Sequence, residues 1–138
     1  MREYVRIQTA ILLRRFAFQL NKAARDGDED SIHDLRVSIR RFSRCLGAFT
    51  AFYPAHAARK IRRELSLLMH AAGDVRDRDI ALELLEAAGV RAASAIRRQL
   101  ATERRDAEHA LQIEIRRWSQ RDFSRKWRMK LNLERLRT

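Results

Sequence analysis

A chain of 138 residues is the size of one ordinary domain, long enough to bury about two-thirds of the surface it exposes when unfolded. Its composition, 46% hydrophobic and 35% charged, excludes a membrane-embedded protein and a featureless disordered one, and leaves the soluble globular class. Lys plus Arg number 30 against 18 Asp plus Glu, a net charge of +12 that makes an anionic partner the first expectation.

The excess is arginine, because lysine stands only at Lys22, Lys60, Lys126 and Lys130. Arginine presents a planar fork of donors that matches phosphate oxygens, whereas lysine would serve solubility equally well. A codon bias toward arginine and alanine would give the same composition, so position along the chain has to decide. The lone cysteine, Cys45, cannot close an internal disulfide, which suits a reducing cytosol, and within a helical pattern it reads as a packing residue.

With four glycines and a single proline, and with apolar residues recurring at three and four, the chain reads as all-α. Helices are predicted near 3–24, 29–50, 55–72, 77–88, 91–117 and 121–136, one domain over 1–138 built as a bundle of four to six helices. The first helix holds an apolar run, Ala10 to Leu13, that Arg14 and Arg15 interrupt; it is too short for a signal peptide or a membrane span, and a cytoplasmic location is expected. Asp26-Gly27-Asp28 supplies a turn and the acids that favour a helix start.

The second helix separates into two faces at about 100° per residue. His33, Arg36, Arg40 and Arg44 fall within about 80° of one another, with Arg41 at their flank, while Ile32, Leu35, Ile39, Phe42 and Leu46 lie opposite. Pro54 opens the third helix, which repeats the design: Arg59, Arg62, Arg63, Ser66 and His70 share one side, and Ile61, Leu65, Leu68, Met69 and Ala72 the other.

Gly73 is predicted to end that helix, and Asp74 or Asp77 to cap the next, in an acidic turn whose Arg76 and Arg78 remain available to an anion. After Gly89, Arg98, Arg105, His109 and Arg116 align within about 40°, backed by Ile96, Leu100, Ala107, Leu111 and Trp118. The last helix is basic through Arg121, Arg125, Lys126, Arg128 and Lys130, a pattern that an ordinary solvated face also explains.

Any soluble amphipathic helix has a charged face, but such faces mix signs. In the first two stripes no carboxylate interrupts the basic residues, and like charges stacked at three, four and seven cost stability unless an anion neutralises them. None of the four histidines has the spacing or carboxylate company of a metal site, so neither metal nor cofactor is expected.

The run His33-Asp-Leu-Arg-Val-Ser-Ile-Arg-Arg-Phe-Ser-Arg44 resembles the signature of the CHAD family, the conserved histidine α-helical domain. Gly73-Asp-Val-Arg-Asp-Arg-Asp-Ile80 is similar to the family's second marker, Gly-x-x-Arg-Asp-x-Asp-hydrophobic. The resemblance implies two related four-helix halves around a basic channel that binds inorganic polyphosphate and directs proteins to polyphosphate granules. On the matching positions, His33, Arg36, Arg40, Arg41 and Arg44 would line that channel, with Arg76 a further contact. Helical geometry adds Arg59, Arg63, Arg98, Arg105 and His109. Only the first half of the pattern is present, and a symmetric homodimer is expected to replace the second. Ser66 stands where a basic residue is common in relatives.

Three other functions compete, of which basic helices lying on anionic lipid or docking on a partner are the weakest, since the mixed, moderately hydrophobic faces suit a packed bundle better than surface insertion. Family members can be fused to a triphosphate-tunnel phosphatase whose Glu-x-Glu-x-Lys strand motif is not found here, and no nucleophile, base and orienting group assemble, so a non-catalytic protein is expected. Nucleic acid is the stronger rival, since phosphate neutralisation looks alike whatever bridges the phosphates. Base stacking needs exposed rings; Phe42, Phe49 and Trp118 fall on apolar faces, which leaves Tyr4, Tyr53 and Trp127 as candidate platforms. The His33 stripe carries neither Asn nor Gln to read base edges.

Overall fold

The computed structural model describes residues 1–134. Five α-helices follow one another: α1 (Arg2–Asp26), α2 (Glu29–Ala48), α3 (Ala55–Ala87), α4 (Ala95–Gln120) and α5 (Phe123–Lys130), with one 3-10 turn (Thr50–Phe52) between α2 and α3. No strand occurs among the described residues, and the all-α expectation holds.

The first break is where turn chemistry puts it. Gly27 closes α1 in the left-handed region (φ 60°), its N–H donating to the Ala23 carbonyl at 3.0 Å. A side chain there would also meet the Glu108 carboxylate, 2.6 Å from an added Cβ. Asp28 then caps α2 by accepting from the Ser31 N–H at 3.0 Å, and hydrogen bonding from Ser31 holds its carboxyl below the ordinary range. Gly89 (φ 79°) follows the end of α3, as predicted, and Ser94 caps α4.

The turn expected at Gly73–Asp79 does not exist. The segments 55–72 and 77–88 are one helix of 33 residues, and neither Asp74 nor Asp77 is a cap. Continuity follows from packing: Leu65, Leu68, Ala72, Val75 and Asp79 form one buried stripe that runs through the glycine. A mid-helix Gly costs about 1 kcal/mol relative to Ala, less than this stripe recovers. The last predicted helix, 121–136, is shorter than expected: α5 ends at Lys130, and 135–136 lie outside the described residues.

Short connections make sequential helices antiparallel neighbours. α1 packs on α2, α2 on α3 and α3 on α4; α4 closes the ring against α1, and α5 folds back onto α1. The predicted apolar faces are the core: Ile32, Leu35, Ile39, Phe42 and Leu46 of α2 and Ile61, Leu65, Leu68 and Ala72 of α3 are buried, with Met69 half-buried.

An aromatic cluster fixes one end of the bundle. Phe16 and Phe42 meet Trp118, Phe123 and Trp127, with Trp118 edge-on to Trp127 at 5.2 Å and Phe16 stacked on Trp127 at 6.1 Å. This pins the short α5 despite its eight residues. Cys45 is buried beside the Thr9 and Tyr53 hydroxyls, 3.6 Å from each, and burial pushes the Tyr53 phenol up. Ile96, predicted to back the α4 stripe, is instead exposed. It belongs to the distal part of the α3–α4 hairpin, where α3 buries nothing after Asp79 and α4 nothing before Leu111.

Candidate anion-binding groove

The antiparallel pair α2 and α3 leaves between them an open groove of about 470 Å³. Arg36, Arg40 and Arg44 come from α2, each four residues after the last and so on one side of the helix. Across from them α3 contributes Arg62, Ser66 and His70, and Ile39, Leu65 and Met69 make the floor. The groove is bounded at one end by Asp74 and Asp77, so it is cationic along the Arg44–Arg62 end and acidic at the other.

Two glycines shape it. A Cβ on Gly47 would stand 3.0 Å from the Arg62 guanidinium, so the missing side chain lets that guanidinium lie across α2. A Cβ on Gly73 would meet nothing within 4 Å, which leaves open space in the groove wall.

None of Arg36, Arg40, Arg44 and Arg62 has a carboxylate partner among the described residues. Arg36 also carries a buried Nε with no hydrogen-bond partner. A buried donor without an acceptor costs about 1–3 kcal/mol, and four uncompensated guanidinium groups along one groove repel one another. An anion that accepts from the forks would relieve both.

The remaining predicted residues are spread more widely. His33 is exposed on α2, outside the groove lining, with its Nδ1 3.5 Å from Asp34, which also pairs with Lys22. Arg41 is exposed about 100° around α2 from Arg40, also away from the lining. Arg59 and Arg63 stand exposed on the ridge of α3 beside the groove. Arg98, Arg105 and His109 are exposed on α4, and none reaches the groove; Arg105 donates to Thr102 Oγ1 at 3.1 Å.

Arg76 is occupied elsewhere: it donates to Glu29 at 2.7 Å, tying α3 to the start of α2. Beside it a second pair completes a clamp between the helices: the Asp79 carboxylate, 8% exposed, accepts from Arg104 Nε at 2.9 Å. Arg104 also bonds Glu108 and reaches the Gly27 carbonyl at 3.4 Å. Burial works against the Arg104 charge, but the Asp79 bond and both carboxylates outweigh it and hold the guanidinium above its usual range. Glu83, exposed beside Glu29, is pushed up by the hydrogen bond the two carboxyls share, while Glu29 is lowered by that bond and by Arg76. Arg78 is shared between Asp74 and Glu103 at 4.0 and 3.7 Å.

Arg62 and His70 are the groove residues that sequence reasoning passed over in favour of Arg59 and Arg63. All four share the α3 stripe, and phase alone does not separate them: Arg62 sits nearest the apolar residues that face α2, but His70 lies between Arg59 and Arg63 around the helix, so the packing against α2 selects the lining. The stacking platforms also change. Tyr53 and Trp127 are buried, so of the three candidates only Tyr4, on α1, is exposed. No group of three metal-donor side chains converges among the described residues, and no helix there is long and apolar enough to cross a membrane.

No curated protein and no solved structure matches the chain. The family model for the CHAD domain matches residues 9–138, which contain every groove residue and both sequence markers. The chain therefore belongs to the CHAD-domain family.

Proposed function

We propose that this protein binds inorganic polyphosphate, without catalysing its turnover, along the groove between α2 and α3. The observation that carries this reading is the set of four groove guanidinium groups with no carboxylate partner, in a chain whose neighbouring Arg76, Arg78 and Arg104 are all ion-paired. Forks on an extended groove suit a repeating phosphate chain better than a single compact anion. The lining holds no aromatic ring apart from the His70 imidazole, so it offers phosphate neutralisation and little base stacking. CHAD-domain membership supports the same ligand.

The groove is open on one side, and a second copy set against it across a two-fold axis would close it into a channel. Homodimerisation and association with polyphosphate granules are parts of the same proposal. Sedimentation with and without polyphosphate tests the dimer, and monomer under both conditions removes it.

The ligand is tested by titrating long-chain polyphosphate against single- and double-stranded DNA at equal phosphate and near-physiological salt. Tighter binding of polyphosphate is expected; equal or tighter DNA binding transfers the groove to nucleic acid. Replacing Arg40 and Arg44 together by Glu should weaken polyphosphate binding by at least about a hundredfold with helicity unchanged, since each lost charge-assisted contact is worth about 1.5–3 kcal/mol.

A further inference from the structure

A second cleft of about 470 Å³ opens between the start of α3 and α5, lined by His56, Lys60, Arg121, Lys126 and Lys130 over a wall of Ile61, Phe123 and Trp127. Three of the four lysines in the chain meet here. The fourth, Lys22, pairs with Asp34 at 3.5 Å, whereas Lys60, Lys126 and Lys130 have no carboxylate partner among the described residues. Glu64, the one carboxylate in the lining, is engaged by Arg121 at 3.0 Å. That guanidinium is further held 5.3 Å from the Trp118 ring centroid. Because Phe123 and Trp127 bury α5 in the aromatic cluster, the lysines it carries project from a fixed wall.

The two clefts are joined along α3. Taking Arg62 as the groove edge, Arg59 and Arg63 lie about 60° and 100° around the helix, and His56 and Lys60 about 120° and 160°. From Ala55 to Arg63 the helix carries no acid, so these cations form an uninterrupted band over its exposed surface. The path over a helix of about 5–6 Å radius is about 15 Å long. At the opposite end of the groove Asp74 and Asp77 repel an anion. A phosphate chain too long for the groove therefore meets repulsion past Asp74 and Asp77 and attraction past Arg44 and Arg62, toward the start of α3.

We infer that a long polyphosphate chain leaves the groove at its Arg44–Arg62 end, crosses α3 over Arg59 and Arg63, and enters the lysine cleft between α3 and α5 as a second site. This rests on the polyphosphate reading of the groove. It gives Arg59 and Arg63 a role outside the groove lining and makes affinity depend on chain length. The two sites divide the chemistry: arginine forks hold the chain in register, and lysines, compact charges on flexible stems, hold a loosely ordered extension.

The test uses the full chain with tripolyphosphate as the short probe and long-chain polyphosphate as the long one. Replacing Lys60, Lys126 and Lys130 together by Ala should weaken long-chain binding by about tenfold or more and lower the slope of log affinity against log salt by about 2, with tripolyphosphate affinity unchanged. An unchanged long-chain affinity and slope overturns the second site and leaves the groove standing. A wild-type protein that binds neither probe overturns the groove reading itself. Amine acetylation read by mass spectrometry on the wild type needs no variant: long-chain polyphosphate should protect Lys60, Lys126 and Lys130 but not Lys22, and tripolyphosphate should protect none of them. Equal labelling with and without the long chain overturns the inference.

Discussion

Two sets of arginines stand along α3 and its neighbours, alike in sequence and opposite in circumstance. In the groove, Arg36, Arg40, Arg44 and Arg62 face one another across α2 and α3 without a carboxylate partner among the described residues. At the clamp, Arg76 and Arg104 are held by Glu29, Asp79 and Glu108, and they join α3 to α2, α4 and the α1–α2 turn. The comparison teaches that arginine content says nothing of role until the carboxylates are placed. Where they share the helix face, arginine is a structural strut; where they are absent, it is left to an outside anion.

Three changes separate the sets, and the largest concerns the clamp. Asp79→Ala removes the acceptor of Arg104 Nε, leaving that guanidinium only Glu108 and the Gly27 carbonyl, and should lower unfolding stability by about 2 kcal/mol, seen in the denaturant midpoint. Polyphosphate affinity of the folded protein should stay within about twofold of wild type, and a large loss would merge the two sets. Gly47→Ala acts on the groove and moves two readouts in opposite directions. The added methyl displaces the Arg62 guanidinium and should weaken polyphosphate binding by about threefold, while helix propensity raises stability by up to about 1 kcal/mol. Equal affinity would mean that Arg62 is not a contact.

The smallest effect is the pH dependence of the Asp28 cap. Its carboxyl is lowered in the folded state, so its contribution to stability is complete above the unfolded carboxylate range and is lost as pH falls through the folded value. The Ser31 amide signal in an NMR titration should shift with a midpoint below about 3.9, and Asp28→Asn should abolish that midpoint while keeping the cap.

The faces of α2 and the breaks at Gly27 and Gly89 could be read from residues because each has a local cause: period, left-handed backbone, capping side chain. Gly73 could not, because a glycine followed by aspartates is locally a helix stop. Only the burial of Ala72, Val75 and Asp79 against other helices carries α3 through it. For the groove, a wheel locates a basic stripe but not the neighbour it faces. It could therefore not choose Arg62 and His70 over Arg59 and Arg63, nor show that the α4 stripe of Arg98, Arg105 and His109 stands outside the groove. The pairing of Arg76 is hidden from the sequence for a related reason: its partner Glu29 is 47 residues away along the chain.

The distal α3–α4 hairpin has no fully buried side chain beyond Asp79 on one helix and before Leu111 on the other. Its backbone hydrogen bonds are thus guarded by helix propensity and half-covered residues such as Leu82, Leu85 and Leu100. Amide protons there should exchange with solvent far sooner than those of α2 or of the aromatic end, and a protease should nick the chain first near Gly89. The molecule then has a graded rigidity along its longest helix: firm along the groove, and able to fray at the other end without loosening it.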